Sequence, residues 1–328
     1  MKQLSYSFLL EAKQPIAHHE GTLGNMSIFM RHKVRQPDGS FAQVPYLTGD
    51  TCRHGLRESS SYAYLAATGI EGRLTEGALR LLFNGGMLTG RGDAASVSLG
   101  EYRDLCDLFP PLAIFGGCVS NRSVPGRLQV DAAELVCEET LHFLPREVTA
   151  WLAAKGIGIA SCRAYVEEEQ RVRMDSSLDP GKRLLLSAEE RARVEGRLLQ
   201  GEAASAADDA VQRESAKSTM LPRSAEVLCT GSLFFWRVQA TTYSDLDEDT
   251  FHVAVAAWLS RCRVGGKQAT GHGRLEAVAG FEGQSVTLAE RLESFSLAER
   301  EPRIGRIFRA HVESKKEAIA AWLPTVNA

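Results

Sequence analysis

Two arginines four residues apart, Arg53 and Arg57, are the first groups whose spacing suggests chemistry. Residues i and i+4 are neighbours on a helix surface, so the pair shares one face, with His54 beside it. Upstream, Val44 to Leu47 is an extended apolar run. Thr48 then reads as an N-cap, with Gly49 just inside the turn. A strand-turn-helix of this kind sets unpaired N–H groups next to positive charge, a combination that suits the backbone of a polyanion. An ordinary amphipathic helix with solvated arginines fits the same residues.

A second stretch, Arg261-Cys-Arg-Val-Gly-Gly-Lys-Gln-Ala-Thr-Gly-His-Gly-Arg-Leu275, joins four glycines to local positive charge. Gly265, Gly266, Gly271 and Gly273 permit close backbone approach, and free N–H groups there can meet phosphates. Arg261, Arg263, Lys267, His272 and Arg274 supply the charge, and Gln268 lies among them. No Gly-Lys-Ser/Thr closes the loop, so it is not a Walker loop. It leaves a helix for a strand, so it is not a dinucleotide fingerprint either. A tight helix-to-strand turn accounts for the same glycines.

A third stretch runs from His18-His19 through Gly24, Asn25 and Met26. The histidines could serve as acid and base in metal-free RNA cleavage. Adjacent residues of a strand point to opposite faces, however, which opposes a joint role. Gly24 to Ile28 contains no carboxylate.

Other chemistries are poorly supported. The seven cysteines are scattered without CxxC spacing and odd in number, so a zinc site or disulfide framework is not expected. Reduced thiols in a cytoplasmic protein are the simple reading. No cofactor motif is present. No apolar run reaches the ~18 residues of a membrane span, and the N-terminal run is too short and interrupted for a signal peptide. The net charge of −3 does not announce a nucleic-acid partner, so any basic surface is local.

The positioning elements follow from periodicity. Leu4, Tyr6, Phe8 and Leu10 alternate as a half-buried strand. Ser27 to Lys33 reads as a short strand, and Gln36 to Ser40 as a turn. Helices are expected over Glu71 to Phe83 and Ser98 to Phe109, the latter stopped by Pro110-Pro111. Leu112 to Phe115 is a short apolar run, and Arg127 to Ala133 alternates as a strand. From Glu167 the composition turns polar, and Ser187-x-x-Glu190 is a capping box. Thr230 to Gln239 has strong strand composition. Ser244-x-x-Asp247 opens a helix whose buried face is Phe251, Ala254, Val255, Trp258, Leu259 and Cys262. Leu275 to Phe281 is the last strand, and Arg309 to Trp322 an outer amphipathic helix.

Val44 to Glu58, VPYLTGDTCRHGLRE, resembles a signature segment of the RAMP superfamily, and more narrowly of the Cas-seven backbone subunits of CRISPR effector complexes. Cys118 to Val130, Lys217 to Gln239 and the glycine loop resemble further segments of that family, in the right order. The type IV branch is the best match by overall look. The order of elements, strand, helix, excursion, strand, large insertion, strand, helix, strand, suits an α+β fold with a ferredoxin-like, RRM-like core and an antiparallel sheet, as the resemblance also implies. A large helical insertion, the thumb, and peripheral helices complete it. The expected boundaries are 1–165 and 223–281 for the core, 166–222 for the thumb and 282–328 for a C-terminal helix.

The function implied is non-catalytic: guide-RNA binding, with several copies polymerising head-to-tail in a helical filament that presents bases to a target strand, DNA in preference to RNA. Implied partners are other effector subunits and, in some type IV systems, a helicase, with no membrane. The implied RNA-binding residues are Asn25, Met26, Thr48, Arg53, His54, Arg57, Gly265, Gly266, Lys267 and Gln268. Met174 and Met220 are candidates for a thumb wedge. The alternative within the family is an endoribonuclease acting on target or guide RNA.

Overall fold

The computed structural model describes residues 1–70, 74–86, 97–119, 122–172, 184, 187–196, 222–282 and 304–326. They form two compact units: 1–18, 30–167 and 227–328 in one, 19–29 and 168–226 in the other.

The first unit is built on the strand expected at the N-terminus, β1 (Lys2–Ala12). Its neighbours are β12 (Leu233–Thr242) and β13 (Leu275–Glu282), both antiparallel to it. The stretch expected as one strand from Arg127 is two: β8 (Leu128–Val130) and β9 (Ala133–Leu135), which pair with β12 in turn. Asp131 marks the break, its N–H bonded to Arg237 O and its carboxylate to the Arg237 guanidinium. The helices α1 (Gly49–Thr68) and α6 (Asp245–Arg261) complete a β-α-β-β-α-β succession. The sheet order β13-β1-β12-β9 is that of a ferredoxin-like core, and β5 (Phe41–Leu47) and β4 (Arg31–Arg35) extend it.

Strand alternation sorts the core. Tyr6, Phe8 and Leu10 share one sheet face with Phe234, Trp236 and Val238, all buried against the helices. Trp236 meets Trp258 of α6 at 4.5 Å between ring centroids. On the opposite face Leu9 and Leu233 pack on α5 (Arg146–Lys155) through Val148 and Leu152. That helix was not expected from the sequence, where only Val148, Trp151 and Leu152 carry large apolar side chains.

A helical layer holds α2 (Glu76–Asn84), α3 (Leu99–Leu108) and α4 (Pro110–Phe115). Pro110-Pro111 ends α3 as expected, but it also opens α4: a fixed φ and a missing N–H suit the first helical positions. The expected C-terminal helix is two, α7 (Arg306–Ser314) and α8 (Lys316–Trp322), broken at Lys315. Phe308, Val312 and Ile319 bury into a cluster with Leu81, Leu82, Phe109 and Leu112. The buried Asp249 carboxylate accepts from Gly305 N and Phe308 N, which fastens the start of α7.

The second unit carries a four-stranded sheet in the order β10-β11-β3-β2. These strands are β2 (His19–Leu23), β3 (Met26–Phe29), β10 (Val166–Val172) and β11 (Pro222–Leu228). The stretch from His19 through Met26 is thus a hairpin turned at Gly24, φ 60°. Residues 188–196 are helical, and the Ser187 hydroxyl accepts from Glu190 N, as its capping box predicts. Met174 and Met220 lie outside the described residues.

Candidate nucleic-acid interface

α1 begins where the sequence places it. The Thr48 hydroxyl accepts from Thr51 N at 3.3 Å. Gly49 has no room for a side chain, since a Cβ would lie 2.7 Å from Val130 O. Gly55 is fixed in the same way by Trp258 Nε1, also at 2.7 Å, so the two main helices approach closely here.

Arg53 and Arg57 do share a face, but that face is turned inward. Arg53 donates to Phe115 O at 2.5 Å and Leu128 O at 3.3 Å. Arg57 donates to Gly116 O at 3.1 Å and Phe115 O at 3.2 Å, and lies over the Phe115 ring. The carbonyls at the end of α4 carry its negative dipole end, so they attract cations. Burial, helped by the neighbouring Arg53 charge, lowers the Arg57 pKa to about 10. The pair expected to meet RNA is thus engaged with the chain's own backbone, while His54 stands exposed.

The glycine loop follows α6. Cys262 ends the helix in the left-handed region, φ 35°. Val264 N then donates to Gly273 O and Leu275 N to Cys262 O, which closes the loop base. Two glycines are demanded by the fold itself. A Cβ at Gly273 would lie 2.0 Å from Val264 O, and one at Gly265 would lie 2.4 Å from Ala17 O, both at positive φ. Gly266 differs: it is exposed, and a Cβ there would meet nothing closer than 3.8 Å. Lys267 holds φ 57° without being glycine, an uncommon conformation concentrated at functional sites. Gln268 is exposed and donates to Gly265 O. Arg261 lies over Tyr62 at 4.7 Å and near Glu58 at 3.6 Å. Arg274 is exposed, and His272 is buried.

The two stretches meet on Ala17 and His18. Gly266 N donates to Ala17 O at 2.7 Å, and Thr48 N donates to His18 Nε2 at 3.4 Å. The start of α1 and the tip of the glycine loop are therefore both tied to residues 17–18, of which Ala17 is buried. No sequence signal marks this junction, because the stretches it ties are far apart in the chain.

In the second unit, Asn25 is exposed at the hairpin turn and Met26 is half-buried. Asn25 O accepts from Ser224 N, and Met26 pairs with Ser224. His19 Nε2 lies 3.0 Å from Glu226 O. Both early histidines thus hold backbone groups. Among the described residues no cluster of three metal-ligating side chains occurs, and no helix is long and apolar enough to cross a membrane.

No model of a known protein family matches the chain, and no curated protein does. Among solved structures, a chain described as "Type IV-B CRISPR Complex" matches 86% of this chain and 92% of its own length, with 17% identity and a TM-score of 0.51. The two chains share a fold.

Proposed function

We propose that this protein is a guide-RNA-binding backbone subunit of a CRISPR ribonucleoprotein effector complex. The observation that carries the proposal is the fold likeness, over 86% of this chain, to the type IV-B CRISPR complex chain. The meeting of the two family-like stretches at Ala17 and His18 supports it independently.

In this reading the contacts to the sugar-phosphate backbone come from Thr48, His54 and the loop tip Gly265, Gly266, Lys267 and Gln268. Asn25 and Met26 contribute from the second unit, and Met174 or Met220 acts as a wedge between bases. Arg53 and Arg57 act indirectly, by fastening α1 to α4 so that the N-terminus of α1 is held in place. Copies assemble head-to-tail, a heterologous contact that leaves the chain of subunits open. The bound guide pairs with a target strand, and other effector subunits, a helicase among them, complete the particle. The bonds already made by the His18 and His19 rings support a binding role over a cleaving one.

The test is purification after co-expression with the neighbouring genes, followed by sequencing of retained RNA. Uniform short RNAs sharing one flanking repeat, with several protein copies on each, are expected. A nucleic-acid-free monomer would overturn the reading.

A further inference from the structure

The β4–β5 hairpin carries a feature that none of the four family-like stretches contains. Its register sets Lys33 opposite Gln43 and Arg35 opposite Phe41. Tyr46 N donates to Met30 O and Gln36 N to Ser40 O, so the hydrogen-bonded pairs fall on the even-numbered residues of β4. Lys33–Gln43 and Arg35–Phe41 are therefore non-hydrogen-bonded pairs, whose Cα atoms approach to about 4.5 Å with their side chains close together. The N–H and C=O groups of Lys33 and Arg35 face away from β5. β4 ends the sheet order, so those groups lie along its outer edge.

All four side chains are exposed, Phe41 at 65%. Lys33 and Arg35 form no ion pair with any described residue. Asp38, the sole carboxylate of the hairpin, is engaged by Ser40 N at 2.9 Å and Ser40 Oγ at 2.7 Å. The opposite face is already occupied: His32 stacks on Tyr46 at 4.3 Å, and Val34 and Val44 are buried. In a chain of net charge −3, a solvated aromatic ring thus lies directly opposite one unneutralised cation, Arg35, and diagonal to a second, Lys33.

We propose that this outer face is a separate site for single-stranded nucleic acid, with Phe41 as the stacking platform and Lys33 and Arg35 as phosphate contacts. Residues two apart on a strand are about 6.8 Å apart, of the order of the phosphate spacing in an extended strand. Rings flanked by cations are what sequence-tolerant single-strand binding uses. A protein strand is the weaker occupant: lysine and arginine on an edge oppose strand addition, and strand addition needs pockets for alternate side chains. Phe41 lies seven residues before Thr48, about 20 Å along β5, which separates this face from the glycine-loop surface. The inference stands apart from the guide-binding proposal.

The test uses the full-length protein with whatever RNA it retains. Labelled oligo(dT) and oligo(U) of about 20 nucleotides are titrated by anisotropy over a salt series. Phe41→Ala is expected to weaken binding about tenfold or more with an unchanged salt slope, as for a lost base stack. Lys33→Gln with Arg35→Gln is expected to make the slope shallower by about 1.4, two contacts at ~0.7 each. Weakening in either arm supports the site, and the stronger arm names the sugar. Wild-type affinity for both oligonucleotides in both variants, with unchanged melting midpoints, would overturn it. So would loss of the retained RNA together with oligonucleotide binding, which would make the hairpin part of the guide site. If the wild type retains no RNA yet binds oligonucleotides through Phe41, this inference stands and the guide-binding proposal fails.

Discussion

At the scale of single residues, the arginines and glycines divide between holding the fold and meeting a ligand. Arg57 offers two donors to backbone carbonyls at the end of α4; its removal takes the side-chain donor from Gly116 O, while Phe115 O keeps its bond from Arg53. Hydrogen bonds to charged groups contribute about 1.5–3 kcal/mol, so Arg57→Ala should lower the urea midpoint by a corresponding amount. An unmoved midpoint with lost RNA binding would instead return Arg57 to the RNA face. The glycines give a paired experiment. Gly273→Ala forces a Cβ to 2.0 Å from Val264 O, so the loop cannot keep its shape, and a loss of stability is expected. Gly266→Ala meets nothing within 3.8 Å of the protein, so folding should be unchanged. If a ligand backbone approaches Gly266, its affinity should fall while the melting curve does not. Equal stability losses in both variants would show that Gly266 serves the fold alone.

At the scale of elements, what the sequence made legible was local. Thr48 and Ser244 cap their helices as residue type predicts, and the Ser244–Asp247 capping box is reciprocal. The β-α-β-β-α-β order followed from alternation and periodicity, as did most of the buried face of α6, although Leu259 is only half-buried and Val253 and Ala256 are buried as well. What was not legible depends on partners distant in the chain. Arg53 and Arg57 were correctly set on one face, but nothing local says that the face meets Phe115 and Gly116. Pro110 was correctly a stop, but its second role as a start depends on where α4 packs. The junction of Ala17 with Gly266 is of the same kind. Glu139 ties two elements and gives a pH test. Burial opposes its charge, but the Ser161 hydroxyl and Cys162 N–H outweigh burial and hold its pKa down at about 2, from 4.5. A depressed folded-state pKa means that its contribution is complete above about 4.5 and is lost as pH falls through about 2. Glu139→Gln should therefore be less stable than the wild type at neutral pH, with a shallower acid limb between those values. Parallel acid limbs in the two proteins would show that the carboxylate is not what joins Cys162 to this turn.

At the scale of the whole molecule, charge and assembly constrain each other. A chain of net charge −3 gains nothing from long-range attraction to RNA, so affinity must come from a few local contacts repeated along the strand. Each copy that neutralises Z phosphates of a single strand contributes a salt slope of about −0.7Z. A small Z makes one copy on a short RNA weak and only modestly sensitive to salt. Neighbouring copies held on one RNA act at high effective concentration, so occupancy should rise steeply once the strand accommodates two. The symmetry of the contact then decides the stoichiometry. An isologous pair closes at two copies whatever the length of RNA, whereas a heterologous contact continues. Mass measurement across a ladder of RNA lengths should therefore give a copy number that climbs in even steps, each added copy contributing the same increment of salt slope. A plateau at two copies would replace the filament with a closed dimer, and a fixed single copy would remove assembly from the proposal while leaving RNA binding intact.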